Sequence, residues 1–254
     1  MGACDRIVVT FTNLYLSRRG DRPCSDSPIM SDFLQRWPMN ATTSSSAASL
    51  PHFQRRWTDY YQAVEGRPPR ETLMMALERF AVELSPRPRG TIGTAVDLGC
   101  GDGRDTVELL RQRWRVIAVD GEPEAITRLR QRSDINRTYL ETRVQRFENL
   151  TLPPDVDLVN ASFCLPFCPL DFFAALWEEI VTALRPGGRF CGHLFGDRDS
   201  WVDYADINYH TRGQVDRLLD PFTIELLDEE EHPGRTALGE EKHWHLYNIV
   251  ASKR

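Results

Sequence analysis

The stretch Ala95-Val96-Asp97-Leu98-Gly99-Cys100-Gly101-Asp102-Gly103-Arg104-Asp105 constrains this chain more than any other. A short apolar run closes on an acid, three glycines alternate with other residues, and a helical pattern follows at once. That order describes a buried strand, a tight turn and the start of a helix. Glycine admits positive φ and, having no Cβ, lets a ligand lie against the main chain. Such a turn at the carboxyl end of a parallel strand is where open α/β sheets take nucleotide-like ligands. The spacing narrows the ligand further. A dinucleotide fingerprint needs Gly-x-Gly-x-x-Gly, with a pyrophosphate on the helix N-terminus. Counted from Gly99 the third glycine falls on Arg104, and counted from Gly101 it falls on Thr106. A nicotinamide-dependent oxidoreductase is therefore the weakest of the enzymatic readings.

The run Val116-Ile117-Ala118-Val119-Asp120 repeats the strand-to-acid pattern. Asp120 stands about 20 residues past the turn, where α/β nucleotide sites place a carboxylate that accepts from two ribose hydroxyls. Together, the Asp97-Leu98-Gly99-x-Gly101-x-Gly103 turn and Asp120 closely resemble motif I and its partner acid in class I S-adenosylmethionine-dependent methyltransferases. The resemblance spans about residues 53–254, and element order and chain length look most like the small-molecule branch that includes tellurite-resistance-type methyltransferases. It implies an α/β fold: a Rossmann-like seven-stranded mixed sheet, helices on both faces and an antiparallel last strand. It also implies S-adenosyl-L-methionine as cofactor, with Asp97, Gly99, Gly101, Gly103 and Asp120 around its methionine and ribose.

The rest of the chain fills in this frame. Residues 1–50 are rich in Arg, Ser, Asp and Pro and carry the low-complexity run Ala41–Ser49. Such composition buries too little apolar surface to offset ordering entropy. It predicts a disordered extension, or a stretch ahead of a true start at Met30 or Met39, in front of a domain at 51–254. Phe53, Trp57, Tyr60, Tyr61 and Val64 fall near helical spacing, which predicts an aromatic helix over the sheet with Trp57 and Tyr61 facing the site. A second helix starts after Pro68-Pro69, and strands are expected at Thr94–Leu98, Arg115–Asp120, Thr138–Val144, Val156–Ala161 and Arg189–Leu194. After the third strand, Arg146 and Phe147 occupy the place where the resemblance implies a contact to the adenine. After the fourth, Asn160 is a cofactor-side hydrogen bonder and Phe163 and Phe167 form an apolar wall. Cys164 and Cys168 read as small buried hydrophobes, or as a soft-ligand pair for a metalloid. Phe172 through Leu184 describe an amphipathic helix closed by Arg185-Pro186-Gly187-Gly188. A late strand near Phe222–Leu227, a solvated charge run Glu229–Glu231 and a final strand Lys242–Ala251 end the chain. His243 and His245 share a face by period two, but no third ligand stands at metal-binding spacing.

These observations predict methyl transfer to a small-molecule acceptor by in-line displacement. His193 is the candidate general base and Trp201 a further wall of the acceptor pocket beside Trp57, Tyr61 and Phe163. A protein that binds S-adenosylmethionine for regulation, without catalysis, is the alternative from another class. A formal charge of −6 sets up no basic field for nucleic acid or an anionic membrane surface. The six scattered cysteines contain no CxxC pair and predict free thiols and a cytoplasmic location. No metal is expected, and the oligomeric state is not legible.

Overall fold

Short runs rich in β-branched and small apolar residues build the centre of a sheet. In the computed structural model, which describes residues 50–82 and 92–254, these are β1 (Thr94–Leu98), β2 (Arg115–Asp120) and β4 (Val156–Ala161). Every residue of β4 is buried, as a strand covered on both sides must be. Together with β3 (Leu140–Val144), β5 (Leu184–Phe195), β6 (Phe222–Arg235) and β7 (Glu241–Lys253), they form one seven-stranded sheet in the order β3-β2-β1-β4-β5-β7-β6. Strands β1 to β5 are parallel, whereas β7 runs antiparallel to both β5 and β6. This is the Rossmann-like mixed sheet that the sequence predicts. The expected extension, residues 1–50, lies outside the described residues except for Leu50.

Chain direction in the sheet decides where a ligand can sit. From β1 the chain steps outward to β2 and β3, then returns to the other side of β1 for β4 and β5. Right-handed crossovers therefore put the helices of the two halves on opposite faces, and a crevice opens between the carboxyl ends of β1 and β4. The helices are α1 (Trp57–Val64), α2 (Glu71–Val82), α3 (Arg104–Arg111), α4 (Pro123–Gln131), α5 (Leu170–Ala183) and α6 (Arg212–Leu218). Leu73, Ala76 and Leu77 of α2 pack into the main core with Ala95, Val116, Leu158 and Val250. Pro123 opens α4, where its missing N–H costs nothing. Thr211 and Gln214 cap α6 reciprocally, the Thr211 N–H donating to Gln214 Oε1 at 2.7 Å.

Several boundaries differ from the sequence reading. The stop expected at Arg185–Gly188 is already strand, because Leu184 pairs with Val156 and the register then shifts by a bulge. The charge run Glu229–Glu231 is not simply solvated. It lies inside β6, paired residue for residue with Tyr247, Leu246 and His245 of β7. Arg198 reaches both ends of the run, its Nη2 donating to Glu229 at 3.0 Å and its Nε to Glu231 at 2.8 Å. Finally, Phe172 sits on the exposed side of the first turn of α5, so the apolar face begins at Phe173.

Candidate functional site

The glycine turn follows β1 at the crevice, with Gly99, Gly101 and Gly103 at φ of 60°, 56° and 93°. Two of the three are required by the protein's own packing. A Cβ on Gly99 would overlap the Cβ of Cys164 in the loop after β4, and one on Gly103 would strike the Leu129 side chain of α4. Gly101 differs, since a Cβ there would meet only the Tyr61 ring, at 3.4 Å. Its open side is the one that faces a cavity. Asp120, at the end of β2, ties this turn down: Oδ2 accepts the Gly101 N–H and Oδ1 the Glu122 N–H, both at 2.9 Å. Burial raises the Asp120 pKa, against the pull of these backbone donors.

Beneath the turn lies a polar knot. Asp97 accepts from the Thr106 hydroxyl at 2.5 Å and from Asn160 Nδ2 at 2.8 Å. The same amide nitrogen donates to Asp105 at 3.0 Å, and Asp105 also accepts the Arg70 N–H at 2.9 Å. Asn160 Oδ1 in turn accepts from Ser162 Oγ at 3.0 Å. Asp97 and Asn160 are buried at 2% and 0% exposure, so they hold β1, β4 and α3 in register from below. Desolvation, reinforced by the nearby Asp105 charge, drives the Asp97 carboxyl well above its ordinary range.

Above the turn is a cavity of about 340 Å³. Of the residues singled out by sequence, Gly99, Gly101, Asp120, Arg146 and Phe147 line it on one side. Trp57, Tyr61, Phe163 and Trp201 line it elsewhere. Asp97, Gly103, Asn160 and His193 are not on its wall, although Asp97 borders a smaller cleft beside the turn. His193 is 4% exposed and lies behind Phe163, the two rings stacked at 4.0 Å. Burial and the Arg70 and Arg104 charges push its pKa down to about 3, so it is neutral. Phe163 itself holds φ of 56°, an uncommon backbone for a bulky residue and one that marks an over-determined position. On Phe163 lies the Arg70 guanidinium, 4.3 Å from the ring centre.

The far end of the cavity is aromatic and was only partly legible. Arg55, with its side chain 6% exposed, packs among the Phe53, Tyr60 and Trp201 rings at 5.2, 5.3 and 4.8 Å. Trp244 and Phe195 complete the wall, with Lys242 buried behind it, paired to Asp199 and 3.9 Å from the Trp201 ring. Asp199 also accepts the Trp201 and His245 N–H groups at 2.9 and 3.2 Å. The sequence reading missed Arg55, Arg70, Asp105 and Trp244. Asp105 alone carried a usable signal, being an acid in the first turn after the glycines. His243 and His245 each bond to a glutamate of β6, at 3.1 and 3.0 Å. Among the described residues, no group of three or more His, Cys, Asp or Glu side chains is placed to hold a metal ion, and no helix is long and apolar enough to cross a membrane.

Residues 95–188 match the family model of a methyltransferase domain. The matched span runs from the first residues of β1 through the glycine turn, Asp120 and β4. A methyltransferase of Claviceps purpurea is 32% identical over 146 residues, covering 56% of this chain and 42% of that protein. The chain spans less than half the length of the curated relatives it matches. Among solved structures, TehB from Haemophilus influenzae superposes with a TM-score of 0.60 at 12% identity, covering 78% of this chain and 68% of that one. A Burkholderia thailandensis 1,6-didemethyltoxoflavin N1-methyltransferase, solved with 1,6-didemethyltoxoflavin and S-adenosylhomocysteine, gives 0.51 at 22% identity, covering 81% and 94%. These structures share the fold of this chain.

Proposed function

We propose that this chain transfers the methyl group of S-adenosylmethionine to a small-molecule acceptor. One observation carries the reading: the open face of Gly101 and the Asp120 carboxylate it is bonded to border the same cavity. A main-chain cradle beside a buried carboxylate suits a nucleoside with a short zwitterionic tail, and nothing in it is built for a pyrophosphate. The methyltransferase family match over this stretch supports the same ligand, as does the S-adenosylhomocysteine held by the Burkholderia neighbour.

In this reading Asp120 accepts from the ribose hydroxyls while keeping the turn closed through the Gly101 N–H. Gly99 and Gly101 present main chain to the methionine part, and Arg146 and Phe147 flank the adenine. Asp97, Gly103 and Asn160 act from beneath as positioning residues. S-adenosylmethionine supplies a methyl already activated by its sulfonium, so the protein's contribution is orientation in a pocket closed to water. The rings of Trp57, Tyr61, Phe163 and Trp201 exclude water there and tolerate positive charge on their faces. His193 serves as the support that holds the Phe163 ring. Its burial behind that ring argues against the role of general base. Calorimetric titration with S-adenosylhomocysteine and with NAD tests the reading. Binding of the first alone, lost in Asp120→Ala, is expected; NAD binding, or binding of neither, overturns it.

A further inference from the structure

Charge is segregated along the cavity. All three carboxylates that line it, Asp120, Glu122 and Glu148, belong to the ends of β2 and β3, where the nucleoside is placed. Arg146 at that end is matched by Glu148, at 3.1 Å. Away from that end the charged groups on the wall are guanidinium cations: Arg55, Arg67, Arg70 and Arg235. No carboxylate among the described residues faces them across the cavity.

Arg55 is the most telling of these. Its side chain is almost fully buried, yet the one carboxylate that pairs with it among the described residues, Glu240, stands 3.5 Å away and is itself 60% exposed. Burying a cation is costly unless a close partner compensates it. Desolvation accordingly lowers the Arg55 pKa, with Glu240 only opposing that fall. The Trp201 indole also carries a second cation, Lys242, whose pKa burial pushes down to about 8, with the Arg55 charge adding to the fall. Asp199 pairs with Lys242 but is already committed to two backbone N–H groups. The aromatic end thus sets two buried cations against one buried carboxylate, Asp199, and one exposed carboxylate, Glu240. Around that charge the wall is aromatic, with Trp57 and Phe167 5.2 Å apart and Phe167 and Trp201 at 6.2 Å.

We propose that the methyl acceptor is a carboxylic acid on a flat, apolar body, its carboxylate met by Arg55 and its body held against the aromatic wall. A planar guanidinium matches a carboxylate through two parallel hydrogen bonds, and a wall of ring faces and edges suits a flat apolar body. This rests on the methyl-transfer reading, because it assigns the nucleoside end of the cavity to the cofactor. The acid is the handle by which the acceptor is recognised, and Arg55 is a binding residue.

The test uses the full chain saturated with S-adenosylhomocysteine and follows quenching of its tryptophan fluorescence. Benzoate, cinnamate and fumarate are titrated beside their neutral amides, benzamide, cinnamamide and fumaramide. At least one acid is expected to bind about ten-fold or more tightly than its own amide, the scale of a charge-assisted pair. Arg55→Gln should abolish that preference and Arg55→Lys retain part of it, both binding S-adenosylhomocysteine as the wild type does. Acids and amides binding alike, or an acid preference that survives Arg55→Gln, overturns the proposal while methyl transfer stands. Loss of S-adenosylhomocysteine binding in both Arg55 variants would place Arg55 at the cofactor and also overturn it. Failure of S-adenosylhomocysteine to bind the wild type overturns both readings.

Discussion

The two ends of the cavity are built in opposite ways. The nucleoside end is made by backbone: a turn whose glycines at 99 and 103 are required by neighbouring side chains, and one carboxylate bonded to the turn it faces. Its parts lie within a few tens of residues of one another along the chain. The aromatic end is made by side chains drawn from residues 53–60, 195–201 and 235–244, which meet only once the sheet has formed. The first end is rigid because nothing in it can move without breaking secondary structure. The second is held by ring packing and two ion pairs, so single residues in it can be exchanged. Damage should therefore spread at the nucleoside end and stay local at the aromatic end.

The largest effect is expected for Gly99→Val. It places a branched side chain at positive φ against Cys164, and overpacking plus backbone strain should cost about 3 kcal/mol or more. Urea unfolding should show that loss, and S-adenosylhomocysteine binding should disappear; a variant of wild-type stability would show that the turn is not packed as described. Asp120→Ala comes next. Loss of two charge-assisted bonds to the ribose, together with the Gly101 tie, should weaken S-adenosylhomocysteine about 100-fold or more by calorimetry. A change below ten-fold would remove Asp120 from the ribose.

Asp97 gives a smaller, pH-dependent effect. Its folded pKa is raised from 3.8 to about 7 by burial and by Asp105. The sign is the reverse of a salt-bridged carboxylate: the stabilisation is fully present below the unfolded pKa and is lost as pH rises through the folded one. Asp97→Asn should flatten stability between those limits and narrow its gap to wild type as pH rises. A wild-type stability that climbs across the same interval, lost in Asp97→Asn, would contradict this. The smallest effect is expected at His193. Wild-type turnover should show no inflection near the ordinary histidine pKa of about 6.5, and His193→Gln should lower kcat less than ten-fold by loosening Phe163. An inflection that vanishes in the variant would restore His193 as a general base.

The same contrast explains what could be read from the sequence. β1, β2 and β4 were legible to the residue because each is a short apolar run closed by a turn former or an acid. The glycine turn and the strand-closing Asp120 were legible as structure because both are local patterns. The first part of β6, Phe222–Leu227, was legible too; its continuation was not, since Asp228–Glu231, Pro233 and Gly234 all argue against a strand when read locally. What carries β6 through them is the partner strand β7, with Arg198 from a distant loop joining the acids. Arg55 and Arg70 were illegible for a related reason. Arginine is frequent in this chain, and only the rings and carboxylates brought near by the fold separate these two from the rest. His193 is a different case: its place near the end of β5 is as expected, but the Phe163 ring that covers it belongs to another loop.

β6 is also the outer strand of the sheet, its far edge unpaired among the described residues. An unpaired edge offers N–H and C=O groups to any strand that drifts alongside. Here the middle of that edge is four consecutive acids followed at once by His232 and a proline. A second copy approaching edge to edge would set carboxylate against carboxylate on both faces, since Asp228 and Glu230 point one way and Glu229 and Glu231 the other. Proline adds a position with no hydrogen to give. The sequence that hid the strand from a local reading thus guards it against association with its own kind, most strongly at neutral pH and low salt.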